Sequence, residues 1–135
     1  MGETTPSENE WLIMEVLWKY ETPLTAAEII ENLKGTMHVS SKTIRVLINR
    51  LLKKGIIDYY VDEHDSRVYH YFAVKTKQIC LEEKSERFLN GYFSGNPLGM
   101  VAALVENEKF SQEQIDELIQ ILESGKRQKL NKGKE

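Results

Sequence analysis

The apolar rhythm of this chain changes abruptly at Gly55, and that change limits the folds open to it. Upstream, Ile44, Leu47, Ile48 and Leu51 fall at i, i+3, i+4 and i+7, the spacing that lines up side chains on one face of an α-helix. Downstream, Ile56–Asp62 and Arg67–Val74 are rich in Ile, Val, Tyr and Phe, with only Glu63-His64-Asp65-Ser66 between them. Two such runs around a short polar segment read as a β-hairpin. A helix that delivers the chain directly into a hairpin leaves little choice for what lies on either side.

Two more helices precede this pair. Ser7 stands three residues before Glu10, a capping box that opens a helix over about residues 8–20, with Trp11, Met14, Val16, Leu17 and Trp18 as its apolar run. Thr22-Pro23 ends it, because the residue before a proline avoids helical geometry. Thr25 and Glu28 repeat the box for a helix over about 26–34, with Ala27, Ile30 and Leu33 or Ile29 inward and Gly35 at its close. Ser40 or Ser41 caps the third helix, which runs to Lys54. Three helices and then a hairpin is the winged-helix order. From Thr76 the pattern is helical again, over about 77–94 and 98–107 and onward from Ser111, with Gly95-Asn96-Pro97 as a break. The expected fold is mainly α with a small β-hairpin: a winged helix-turn-helix domain at 1–75 and a helical dimerisation segment at 76–124. Residues 125–135, polar and basic, read as a disordered tail.

Charge is distributed unevenly. The net charge is -3, yet no acidic residue lies between Glu31 and Asp58, where Lys34, Lys42, Arg45, Arg50, Lys53 and Lys54 give +6. The remaining twelve cations face twenty-one acids, a balance of -9. DNA binding needs one positive surface rather than a basic protein, since only one face meets the phosphates. On the third helix, Lys42, Val46, Asn49 and Lys53 lie opposite the apolar stripe, flanked by Arg45 and Arg50.

A helix in the major groove presents its N-terminal residues to base edges. Here those are Ser40, Ser41, Lys42, Thr43, Arg45 and Val46. Arg45 suits bidentate pairing with guanine, and Thr43 and Val46 offer methyl contacts to thymine. Lys42, Arg50, Lys53 and Lys54 suit phosphates. Thr25 and the free N–H groups of the second helix form another phosphate site, and Arg67 with His64 reaches out from the hairpin tip, where Glu63 and Asp65 oppose phosphate. In the C-terminal part, Phe88, Leu89, Tyr92, Phe93, Leu98, Val101, Leu104, Val105, Ile115, Leu118, Ile119 and Leu122 are the candidate dimer contacts.

The segment Val39-Ser40-Ser41-Lys42-Thr43-Ile44-Arg45-Val46-Leu47-Ile48-Asn49-Arg50-Leu51-Leu52-Lys53-Lys54-Gly55 resembles the third helix of the penicillinase and methicillin-resistance repressors (BlaI/MecI), a family that includes the copper-operon repressors (CopY). Glu10-Trp11, with Met14, Val16 and Trp18, is similar to that family's first helix, and Glu106, Ser111-Gln112 and Glu117-Leu118 to its C-terminal region. The resemblance covers about residues 7 to 124. It implies a homodimer on a pseudo-palindromic operator with TACA/TGTA elements, repressing a resistance or stress operon. Two departures stand out. The paired C-terminal cysteines of the copper branch are absent. The resistance branch is inactivated at an Asn-Phe bond before Val-Glu, whereas Ala103-Leu104 precedes Val105-Glu106 here. The resemblance thus carries a sensor protease as partner without its cutting site.

Other functions leave weaker traces. No Gly-rich phosphate loop, Gly-x-Ser-x-Gly or His-Glu-x-x-His occurs, so no enzyme is expected. His38, His64 and His70 lack paired-ligand spacing, and Cys80 is the single cysteine on an apolar stripe, so no metal or cofactor is expected. No apolar run approaches the roughly 18 residues of a membrane span, and the expected setting is cytoplasmic. Two alternatives to the repressor stay open at this level: a winged-helix protein-interaction module without DNA binding, and a regulator that senses a small molecule through its C-terminal helices.

Overall fold

The computed structural model of the protein describes residues 4–133. The elements run α1 (Glu8–Lys19), β1 (Leu24–Thr25), α2 (Ala26–Leu33), α3 (Ser41–Lys53), β2 (Ile57–Val61), β3 (Tyr69–Ala73), α4 (Lys77–Phe93), α5 (Pro97–Glu106) and α6 (Gln112–Lys132). They fall into two compact units, Met1–Arg87 and Phe88–Glu135.

The first unit is a winged helix-turn-helix. Both capping boxes form: the Ser7 hydroxyl accepts from the Glu10 amide while the Glu10 carboxylate accepts from that of Ser7, and Thr25 and Glu28 do the same for α2. These reciprocal bonds satisfy amides that a helix end would otherwise leave without partners. The core gathers Ile13, Met14 and Leu17 of α1, Ile29 and Leu33 of α2, and Ile44, Leu47, Ile48 and Leu51 of α3, together with Ile56, Ile57, Tyr71 and Cys80. On α2 the inward set is Ala26, Ile29 and Leu33, with Ile30 half-buried; Ala27 is exposed. The choice of Ala27 as an inward residue was one step out of register.

The change of rhythm at Gly55 has a specific backbone cause. Gly55 adopts φ +74°, its N–H donates to the Leu52 carbonyl at 3.0 Å, and the Ile56 N–H donates to Leu51 at 3.1 Å. That pair of bonds is the Schellman motif, which needs a left-handed residue after the helix and so favours glycine. Leu51 and Ile56, the residues whose apolar contact accompanies this motif, are both fully buried. The chain therefore turns straight from α3 into β2.

β2 and β3 pair antiparallel, with Tyr59 opposite Tyr71 and Tyr60 opposite His70. A third strand escaped the sequence reading. Leu24–Thr25 pairs with Tyr71 and His70 on the other side of β3, giving the order β1-β3-β2. Two residues are too few for alternation to register, and the strand forms only because β3 offers an open edge. The hairpin turn is organised by carboxylates: Asp62 accepts from the His64 and Asp65 amides and from His70 Nε2 at 2.8 Å. These bonds hold the Asp62 carboxyl below its usual pKa range, the one from His70 first among them.

The compact units divide between Arg87 and Phe88, within α4, whereas the sequence suggests a functional boundary at residue 75. The start of α4 is anchored in the first unit by buried Cys80, by the Lys75–Glu83 ion pair at 3.0 Å, and by Trp18 Nε1, which donates to the Lys75 carbonyl at 3.0 Å. Residues 125–132, where the sequence suggests a tail, are helical in the structure, since α6 continues to Lys132. Its last turns are built from Lys, Arg, Gln and Leu, good helix formers, with cations at the end where the macrodipole favours them. Lys134 and Glu135 of that expected tail lie outside the described residues.

Lys54, expected at phosphate, turns inward. Its Nζ lies 2.5 Å from Glu10 Oε1 and donates to the Thr5 carbonyl at 3.2 Å. The Glu10 side chain is 2% exposed, so without Lys54 its charge would be left in apolar surroundings. Removing one partner of a buried pair costs more than the pair contributes, because the other charge stays behind. Lys54→Ala is expected to destabilise the protein by about 2–4 kcal/mol, the lower end reflecting the partial exposure of the lysine. Thermal unfolding of the variant checks this; an unchanged transition would place Lys54 back on the surface.

Candidate nucleic-acid interface

α3 is held by one side only. Ile44, Leu47, Ile48 and Leu51 are at most 5% exposed, while Ser41, Lys42, Thr43, Arg45, Val46, Asn49, Arg50 and Lys53 are all exposed. The turn from buried to exposed follows directly from the 100° advance per residue. No intrachain ion pair joins Lys42, Arg45, Arg50 or Lys53 among the described residues, in contrast to Lys34 with Glu31 and Lys75 with Glu83. The Ser40 hydroxyl caps the helix by accepting from the Thr43 amide at 3.2 Å, and it also lies 3.0 Å from Thr43 Oγ1. Ser40 and Thr43 are therefore coupled, so the α3 N-terminus is presented in a set conformation.

Several expected contacts converge. A groove of about 440 Å³ is bordered by Thr25, Ala26 and Ala27 at the start of α2, by Arg45 of α3, and by Arg67, Val68, Tyr69 and Tyr71 of the hairpin. It brings Thr25, Arg45 and Arg67, which lie far apart in sequence, to one concave surface. Two qualifications follow from the bonds. The capping box already uses the Thr25 N–H, held by the Glu28 carboxylate at 2.9 Å, and the Glu28 N–H, held by the Thr25 hydroxyl at 3.2 Å. Arg67 is forked by Asp65, with Nε and Nη2 at 3.1 and 3.3 Å from the two carboxylate oxygens. This guanidinium is also the first cause of a lowered Asp65 pKa. Because the Arg67 side chain is 88% exposed, solvent screens the pair and the arginine stays available to a stronger anion. His64 is exposed at the tip, whereas His70 is occupied by Asp62.

The aromatic lining went unrecognised in the sequence. Tyr59 and Tyr69 stack at 4.4 Å between centroids with planes 16° apart, and Tyr71 sits 6.1 and 6.3 Å from them. The signal was present, since Tyr59, Tyr69 and Tyr71 share one face once the strands are paired, but the register was needed to see it. Burial raises the Tyr71 pKa above the usual phenol value, the neighbouring tyrosines add to the rise, and Arg45 opposes it. Arg45→Ala is therefore expected to move Tyr71 ionisation to still higher pH, followed by ¹³C NMR of the ring. No movement would mean that the guanidinium does not face this phenol.

In the second unit the apolar side chains find no interior. None of the described residues 88–133 is buried. Phe88, Tyr92, Leu98, Leu104, Val105, Ile115, Ile119 and Leu122 are exposed, and Leu89, Phe93, Val101 and Leu118 are half-buried. Cys80, in the first unit, is fully buried, and that burial raises its thiol pKa, which favours the unreactive protonated form. Among the described residues, no helix is long and apolar enough to cross a membrane.

Comparison with known proteins places this arrangement. The family model described as penicillinase repressor matches residues 6–124. The penicillinase repressor of Bacillus licheniformis is 36% identical over 123 residues, covering 91% of this chain and 93% of that protein. The methicillin resistance regulatory protein MecI of Staphylococcus aureus (strain N315) is 36% identical over 118 residues, covering 86% and 91%. Among solved structures, the DNA-binding domain of the repressor BlaI is similar with a TM-score of 0.46 and 29% identity, over 57% of this chain and 90% of that one. With a match across both units and relatives at this identity, the chain belongs to the penicillinase repressor family.

Proposed function

We propose that this protein is a homodimeric DNA-binding transcriptional repressor that seats α3 in the major groove of a pseudo-palindromic operator. One observation carries the reading: α3 is anchored by four buried side chains and turns an unpaired, acid-free cationic side outward. Ser41, Lys42, Thr43, Arg45 and Val46 occupy the first turns of α3, where base edges come within reach, with Ser40 as the cap. Asn49, Arg50 and Lys53 follow along the backbone side, Arg67 adds a contact from the hairpin, and Thr25 lies at the start of α2. Lys54 is left out of this set, since it neutralises Glu10.

The second unit supports association with another copy. Apolar side chains that one chain leaves in water are worth roughly 1.5–3 kcal/mol each when fully covered. A dimer through Phe88–Leu122 would cover them and set two α3 helices about 34–36 Å apart, one turn of the duplex. The kinship to penicillinase and methicillin-resistance regulators suggests a resistance or stress operon as target. A sensor protease as inducing partner has less support. Ala103 and Leu104, which take the place of the family's scissile pair, lie within α5, and a helix must open before its backbone can be cleaved.

Arg45→Ala is expected to cost about 1–3 kcal/mol at the operator and to relax base preference, whereas Lys53→Ala weakens all sequences alike and lowers the salt slope by about one. Duplex selection from a random pool, followed by salt titration of the winner, measures both. Affinity that ignores salt, or no affinity at all, would favour a protein-interaction module instead. Sedimentation at micromolar concentration should give a dimer without DNA, and a strictly monomeric mass would refute the assignment of the second unit.

A further inference from the structure

We propose that the hydroxyls of Tyr71 and Tyr69, with Arg67, form a seat for one backbone phosphate of the bound DNA, beside Arg45. The proposal rests on the DNA-binding reading and assigns the groove between α3 and the hairpin a ligand of its own.

Three observations carry it. First, Tyr71 is 8% exposed and borders the groove, yet its hydroxyl has no protein partner. No buried side-chain oxygen among the described residues lacks a partner, so this hydroxyl is not sealed from solvent although its residue is 8% exposed. A fixed donor open to solvent on one side is unusual for a buried polar group, which normally finds a partner inside. Second, Tyr69 is stacked on Tyr59 and is 37% exposed, so its phenol is also held at the groove edge with its hydroxyl free. Tyrosine commonly donates to phosphate oxygens, and its two-torsion side chain loses little entropy when it does. Third, Arg45 and Arg67 make the groove cationic. Asp65 engages Nε and Nη2 of Arg67, which leaves Nη1 for a second anion.

Two carboxylates oppose a phosphate here. Asp65 is paired with Arg67, and the Glu28 side chain caps the start of α2. Both are already bound to donors, which moderates but does not cancel their repulsion. The competing explanation is that the three tyrosines only stabilise the hairpin, since cross-strand aromatic pairs do so. Tyr→Phe separates the two, because it keeps the ring and its packing and removes only the hydroxyl.

The experiment titrates the full-length protein, Tyr71→Phe, Tyr69→Phe and Lys53→Ala against the selected operator duplex and a random duplex, with thermal unfolding of each. Tyr71→Phe is expected to weaken both duplexes about tenfold, the effect of losing a hydrogen bond to a charged group, with unchanged base preference, salt slope and melting temperature. Tyr69→Phe should give a smaller loss of the same kind. If both phenylalanine variants bind like the parent while Lys53→Ala is weakened, the seat is wrong and the DNA-binding reading stands. If the parent itself shows no salt-dependent binding, that reading falls and takes the seat with it. Inorganic phosphate that shifts the Tyr71 ring signals, alongside undiminished DNA binding by Tyr71→Phe, would make the groove an anion site unrelated to DNA and overturn the proposal.

Discussion

Everything that α3 presents to solvent is determined by what it buries. Ile44, Leu47, Ile48 and Leu51 dock against α1 and α2, and the helical repeat then leaves Lys42, Arg45, Asn49 and Lys53 no inward option. The Gly55 turn sets the other constraint, because it sends β2 away from the end of α3 and brings the hairpin back beside Arg45. A side chain at Gly55 would meet no atom, so the requirement is one of backbone conformation rather than space. Anchor and turn together build a groove with cations on two walls. Each would be ordinary alone.

Local sequence made part of this visible and hid the rest for physical reasons. Capping boxes, apolar periodicity and the Gly55 stop depend on neighbours a few residues apart, and α1, α2, α3 and the hairpin were legible to within a residue or two. The exposed set on α3 followed from the same periodicity. Lys54 was misread because its partner, Glu10, is forty-four residues away; charge on an exposed-looking turn says nothing of a distant buried carboxylate. The β1 strand was invisible because its two residues take their conformation from β3. The tyrosine cluster needs a register to be seen, and α6 beyond Gly125 has a basic, polar composition that resembles disorder although most of its residues are helix formers.

The two units solve the problem of size in different ways. The first closes a core from three helices and a sheet, with the paired Glu10 and the Trp18–Lys75 bond tying its ends. The second has helices without an interior, and its apolar side chains stand in water along α4, α5 and α6. In the proposed dimer a partner surface would cover those side chains, folding and association would be linked, and the concentration of the protein would enter its stability.

Between Asn32 and Ile57 the charge sums to +6 and over the rest of the sequence to -9, although Lys34 and Lys54 of the first set are paired with Glu31 and Glu10, and Lys126, Arg127, Lys129 and Lys132 stand near the C-terminus. Uniformly basic proteins gain affinity for every DNA sequence through released counterions, which raises the background against which an operator must compete. In the proposed binding mode, the exposed cations Lys42, Arg45, Arg50 and Lys53 of α3 and Arg67 at the groove supply the contacts that meet the duplex. In that proposed mode, phosphate contacts position the protein and base contacts choose the sequence.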